Sequence, residues 1–131
     1  MLIKRTKFNS LQHEYGLEGQ RLLPWGDNEF PFPFGGAYCI VRAGTKSLEH
    51  VNSPDDEVEM FICISGKALL AVGESGLHEV NQGDIVYISP GEAHYLKNPF
   101  KDDFHFYALW WNSDIVNGYS NFKARACQNT L

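Results

Sequence analysis

Gly44–Gly66, GTKSLEHVNSPDDEVEMFICISG, and Gly83–Asn98, GDIVYISPGEAHYLKN, decide how this chain is read. Each segment opens on a glycine and sets a histidine, His50 or His94, beside strand-like sequence. His50 and Asn52 have the same parity, so on one strand both side chains leave the same face. Glu57 and Glu59 also share a face, continued by Phe61 and Cys63, with Met60, Ile62 and Ile64 on the other. If both strands belong to one small barrel, His50, His94 and a glutamate, Glu57 or Glu59, converge inside it. An inward glutamate needs a cation or a donor, because burying an unpaired carboxylate is strongly unfavourable. Two imidazoles and one carboxylate make a competent divalent-metal site.

Outward from these segments the pattern stays β-like. AYCIVRA, SLEHV, VEMFICIS, KALLAVG, LHEVN, DIVYIS, HYLKN and DFHFYALWW are short runs separated by Gly, Pro, Asn, Asp and Ser. About eight strands with turn signals at this spacing indicate an antiparallel sandwich or barrel. No helix-period stretch interrupts them, and the polar tail from Asp114 to Leu131 either holds one short helix or frays. Residues 1–34 are mixed and broken by Pro24, Pro31 and Pro33, with one short strand expected at Leu2–Lys4. FPFPFGG, Phe30–Gly36, cannot be helix, because its prolines force their predecessors to extended geometry. It is read as an extended arm whose aromatics cover a barrel mouth, cover a partner subunit or fill local core. The expected organisation is one all-β domain: an N-terminal arm over 1–34, a barrel over 35–113 and a C-terminal tail over 114–131.

Bulk properties narrow the function classes. A chain of 131 residues with 44% hydrophobic and 21% charged residues is one globular domain, and 14% aromatic content suits a β-rich one. A net charge of −5 and a pI near 5.4, without a cluster of Lys and Arg, argue against nucleic acid as a partner. Cys39, Cys63 and Cys127 lack paired spacing, and the first two sit in apolar runs, which reads as buried thiols in a reducing cytoplasm. MLIKRTKFNS is not a secretory signal, and no run is long enough to span a bilayer, so a soluble protein without a membrane partner is expected.

The two histidine segments resemble the two motifs of the cupin superfamily. The first motif runs glycine, five residues, His-x-His, three or four residues, Glu, six residues, Gly. Gly44 and His50 match it, and Asn52 stands at the second histidine. Counting forward from His50 gives Glu57, whereas counting back from Gly66 gives Glu59. Glu59 is favoured, because pairing fixes register into the following turn while insertions settle in loops such as Ser53–Asp56. The second motif runs glycine, five residues, Pro-x-Gly, two residues, His, three residues, Asn. Gly83, Gly91, His94 and Asn98 match, with Ser89 at the proline position and Pro90 next to it. The resemblance implies a double-stranded β-helix, or jelly-roll barrel. It also implies a divalent ion (iron, manganese, zinc or nickel) held by His50, His94 and Glu57 or Glu59, with Asn52 assisting. His105 and Tyr107, on a late strand that walls the pocket in such barrels, are the candidate catalytic proton donors.

Three functions fit these residues. One is a metal-dependent enzyme, a dioxygenase or isomerase acting on a small oxygenated substrate such as a carbonyl compound, hydroxy acid or sugar. Another is a metal-free binding or sensor module for a sugar or small acid, in which His50 and His94 are ordinary hydrogen-bonded histidines. A third is an auxiliary domain working through protein contacts. Small barrels of this kind pair by sheet extension, so a homodimer is expected. His13 and His78 read as surface residues. Arg42 reads either as an anchor for an anionic substrate or as a rim salt bridge.

Overall fold

A computed structural model describes residues 3–23 and 33–128. Alternating sequence becomes alternating burial along much of β4 (Val58–Ser65) and β9 (Phe104–Trp111), whereas β3 (Gly35–Val41) is buried at consecutive positions Cys39, Ile40 and Val41. Cys39 and Val41, Phe61 and Cys63, and Phe104, Phe106 and Ala108 all point inward and are buried. β9 lies between β3 and β4, with Cys39, Phe106 and Cys63 in one row and Ala37, Ala108 and Phe61 in the next. These rows of cross-strand neighbours are what stabilise a sheet face.

Among the described residues, β1 (Gln12–Glu14), β2 (Leu17–Arg21) and β7 (Ile85–Ile88) complete a six-stranded sheet in the order β1-β2-β3-β9-β4-β7. β5 (Lys67–Val72), β6 (Leu77–Asn81) and β8 (His94–Lys97) form a second sheet in the order β6-β5-β8. The strand pairs are antiparallel. The sheets face each other, and Ala68, Leu70, Val80 and Leu96 of the smaller one join Phe61, Phe104 and Phe106 of the larger in one core. Each fully buried Val, Leu or Phe side chain of this core contributes roughly 1.5–3 kcal/mol of hydrophobic stabilisation. No helix among the described residues is long and apolar enough to cross a membrane.

The architecture departs from the sequence expectation in the N-terminal region, at SLEHV and in the tail. Ile3 and Lys4 are not in a strand, and Leu2 lies outside the described residues. Instead, residues 12–21, expected in an arm, form the β1–β2 hairpin, which extends the large sheet through β2–β3 pairing. Its turn, Tyr15 (φ 54°) and Gly16 (φ 76°), has the two left-handed residues that a tight two-residue hairpin loop requires. These strands are short and polar, so pairing with β3 rather than an apolar pattern defines them. Of the FPFPFGG segment, Phe30 to Phe32 lie outside the described residues, and Gly35–Gly36 begin β3.

SLEHV forms no strand: it makes one isolated bridge, His50 to His94, and Lys46 just before it makes another, to Lys97. Its hydrogen bonds are divided. The Leu96 amide donates to the Ser47 hydroxyl at 2.8 Å, and the Leu48 amide turns away to the Tyr15 carbonyl at 2.8 Å. The tail forms one helix, α1 (Ser113–Gln128), capped by Asn112, whose Oδ1 accepts the Ile115 amide at 3.0 Å. The side chain of Cys127 lies outside the described residues.

Candidate metal centre

His50 and His94 are directly opposed across the bridge that joins residue 50 to β8, so both rings enter the barrel, with centroids 4.4 Å apart. Glu59 arrives from β4 on the same inward face as Phe61. One ligand atom from each of His50, Glu59 and His94 lies within 4.8 Å of the others. Glu59 is 7% exposed and His94 2%, so neither can be satisfied by bulk water.

The hydrogen bonds fix what this cluster presents. His94 Nδ1 lies 2.9 Å from the Glu92 carbonyl, and His50 Nδ1 lies 3.4 Å from the Leu48 carbonyl. A carbonyl only accepts, so in both rings Nδ1 carries the proton and Nε2 is left as the lone pair of a neutral imidazole. The same arrangement, with a backbone carbonyl behind the ring, fixes tautomer and orientation in histidines that ligate metals. His94 Nε2 then stands 2.9 Å from Glu59 Oε1, two acceptors face to face in a buried site. A cation between them, either a proton or a metal ion, is required. Burial works to lower the pKa of His94, but hydrogen bonding to Glu59 and to the Glu92 carbonyl outweighs it and holds the imidazole above its ordinary value.

Glu59, not Glu57, belongs to the cluster. Glu57 lies before β4 in a turn closed by its own amide on the Pro54 carbonyl at 2.9 Å, which is where the length difference in the first segment is absorbed. Its side chain still lines the cavity, where it accepts a hydrogen bond from Asn112 Nδ2 at 2.8 Å. Burial raises its pKa against the Asn112 hydrogen bond, and the charge of Glu59 adds to the rise. Asn52 is half-buried but does not line the cavity, because strand alternation stops at the His50 bridge and the chain turns.

His105 and Tyr107 are not in the site. Phe104, Phe106 and Ala108 take the inward positions of β9, so the alternate side chains face outward. His105 Nδ1 pairs with the Tyr38 hydroxyl at 2.7 Å, and Tyr107 packs edge-on against Tyr38. Arg42 is a rim residue, bonded to Glu18 and, through Nη1, to Asp103 at 2.8 Å. His78 is exposed beside Ser75, and His13 is exposed on β1. Cys39 lines the cavity, yet burial, with the nearby Glu59, pushes its thiol up to about 12, so it stays protonated and is a poor ligand.

The cavity, about 260 Å³, is closed on one side by a wall that the sequence reading missed, the β1–β2 hairpin with Glu14, Tyr15 and Arg21. Tyr15 lies 5.1 Å, ring to ring, from His50. A side chain at Gly16 would meet the Lys46 carbonyl at 2.9 Å, so the hairpin tip presses directly on the segment that carries His50. The one local signal was Tyr15-Gly16 between two short polar stretches, a weaker turn mark than Asn-Gly.

The family model of the cupin domain matches residues 37–111. The chain is similar to the plu4264 protein of Photorhabdus luminescens, at 35% identity over 95% of this chain and 98% of that one, with a TM-score of 0.85. It is also similar to a Cupin 2 conserved barrel domain protein of Salinispora arenicola, at 32% identity over 92% of this chain and 97% of that one, with a TM-score of 0.82. An RmlC-like cupin with a double-stranded β-helix fold from Methanocaldococcus jannaschii shares the fold at 16% identity, over 83% and 90% of the two chains, with a TM-score of 0.60. No curated protein matches the chain.

Proposed function

The chain belongs to the cupin family, and on that premise we propose that it is a metallocupin in which His50, Glu59 and His94 hold one divalent cation beside a pocket for a small oxygenated molecule. The observation that carries this is the opposition of His94 Nε2 and Glu59 Oε1 at 2.9 Å, with Nδ1 already committed to Glu92. Iron, manganese, zinc and nickel all suit two imidazoles and a carboxylate. A bound ion supplies Lewis-acid polarisation of a carbonyl or hydroxyl oxygen, or redox chemistry if it is iron. The protein's own part is to aim both Nε2 atoms inward, to neutralise the ion with Glu59, and to keep water away with Phe61, Phe106 and Trp110. Isomerisation and dioxygenation are the reactions proposed. Neither is assigned a proton donor from β9, since His105 and Tyr107 face away.

A proton shared between His94 and Glu59 satisfies the same pair, and this supports a second reading, a metal-free binding module. Elemental analysis of untagged protein separates the two. The metallocupin retains close to one equivalent of divalent metal and loses it on His94→Ala. A metal-free protein that still binds a small molecule rejects it. The assembly proposed is a homodimer, supported by exposed Ile85 and Tyr87 on the edge strand β7. A monomer mass by sedimentation at micromolar concentration rejects that.

A further inference from the structure

Arg21 is the only lysine or arginine among the described residues that line the cavity. It ends β2 opposite Ala37, in the inward row that continues through Ala108 to Phe61. Its guanidinium lies 5.9 Å from the ring centroid of Trp110, and Trp110 is the direct cross-strand partner of Glu59. Trp110 therefore links the cation on one wall to the metal cluster on the next.

The guanidinium is already gripping a carboxylate. Arg21 Nε donates to Glu14 Oε2 at 3.1 Å, and Nη2 donates to Oε1 at 3.2 Å, the two-pronged geometry with which arginine recognises a carboxylate. Both contacts exceed the roughly 2.7–2.9 Å of strong charge-assisted bonds. The side chains of Arg21 and Glu14 are 49% and 44% exposed, so the pair is cheap to open. A ligand carboxylate entering the cavity can take the place of Glu14 without rebuilding the site.

The geometry points to Arg21 as the residue that selects substrate, with Glu14 as a resident competitor for its fork. The substrate class is then a small carboxylic acid carrying a second oxygen that reaches the His50–Glu59–His94 cluster, rather than a neutral sugar. This rests on the metallocupin reading. The cavity volume, about 260 Å³, lies just below the usual range for ligand pockets of ~300–1,000 Å³ and restricts the acid to a few carbons.

Protein loaded with manganese(II) is titrated by calorimetry with glycolate, lactate and γ-hydroxybutyrate, and with the amide of each. At least one acid binds, and its amide binds about ten- to hundredfold more weakly, the size of a lost charge-assisted hydrogen bond. Arg21→Gln weakens that acid by a similar factor, weakens its amide less, and leaves manganese uptake unchanged. Glu14→Gln strengthens the acid. A folding defect cannot imitate both, because the two substitutions act in opposite directions. Equal affinity in all three proteins, or no acid bound by manganese-loaded protein, overturns the role of Arg21 while the metal reading stands. Failure of the unsubstituted chain to take up manganese overturns the metal reading and this inference with it.

Discussion

His94 Nε2 stands 2.9 Å from Glu59 Oε1 inside the barrel, and His105 Nδ1 stands 2.7 Å from the Tyr38 hydroxyl on the outer face of the six-stranded sheet. The contacts are alike in length and opposite in chemistry. A phenol both donates and accepts, so it completes a neutral imidazole. A carboxylate only accepts, and the N–H of the other nitrogen of His94 is already donated in a hydrogen bond to the Glu92 carbonyl. The pKa values move accordingly. Burial lowers that of His105 against the pull of Asp103, whereas the acceptors around His94 raise its value despite burial. What marks a histidine as a site here is the balance of donors and acceptors around both ring nitrogens, more than burial.

The sharpest way to break this contrast is Glu59→Gln. Metal affinity is expected to fall by at least about 100-fold, beyond the 10–100-fold usual for losing a group behind the ligands. In chelator-treated protein the same substitution is expected to be neutral or stabilising by up to ~1 kcal/mol, since the amide donates to His94 Nε2. Urea unfolding with and without chelator reads both, and a metal-free loss of several kcal/mol would refute the two-acceptor account.

Metal alone gives the next largest effect. Manganese(II) at 100 times its dissociation constant should stabilise the parent by about 2.7 kcal/mol. His105→Gln should show the same increment, because the outer pair does not contribute to the cavity. An increment reduced in that variant would couple the two faces.

Smaller still is Tyr38→Phe, which removes the phenol from His105 and should cost about 1 kcal/mol with metal uptake unchanged. The smallest effect is in pH dependence. A histidine whose folded pKa lies below its unfolded value favours the native state above the unfolded pKa, and that contribution is lost as pH falls through the histidine range. His105→Gln should therefore flatten the acid limb of the stability profile, measured on the chelator-treated protein. An acid limb unchanged in shape assigns it to other groups.

Much of the barrel was legible because its strands alternate. In Val58–Ser65 parity grouped Glu59, Phe61 and Cys63 on one face, the face the structure turns inward, and the glycine-bounded segments placed His50 and His94 as a pair. Phe104–Trp111 shows where legibility ends. Both of its faces are aromatic, so parity sorted His105 and Tyr107 together but could not say which set turns inward. Residues 12–21 were illegible for a different reason. Their strands carry little apolar pattern, and they exist as strands because β3 offers an unpaired edge.

Residue order by itself determined the strand periodicity, the turn positions and the presence of two imidazoles and a nearby carboxylate, because a side-chain period of two follows from the covalent geometry of an extended chain. Only the tertiary structure decided that Glu59 rather than Glu57 meets the histidines, that β9 buries its phenylalanines and exposes His105, and that an N-terminal hairpin brings Arg21 to the cavity. Those outcomes depend on register and closure between segments far apart in the chain, where the hydrogen-bond partner of each strand is supplied by another.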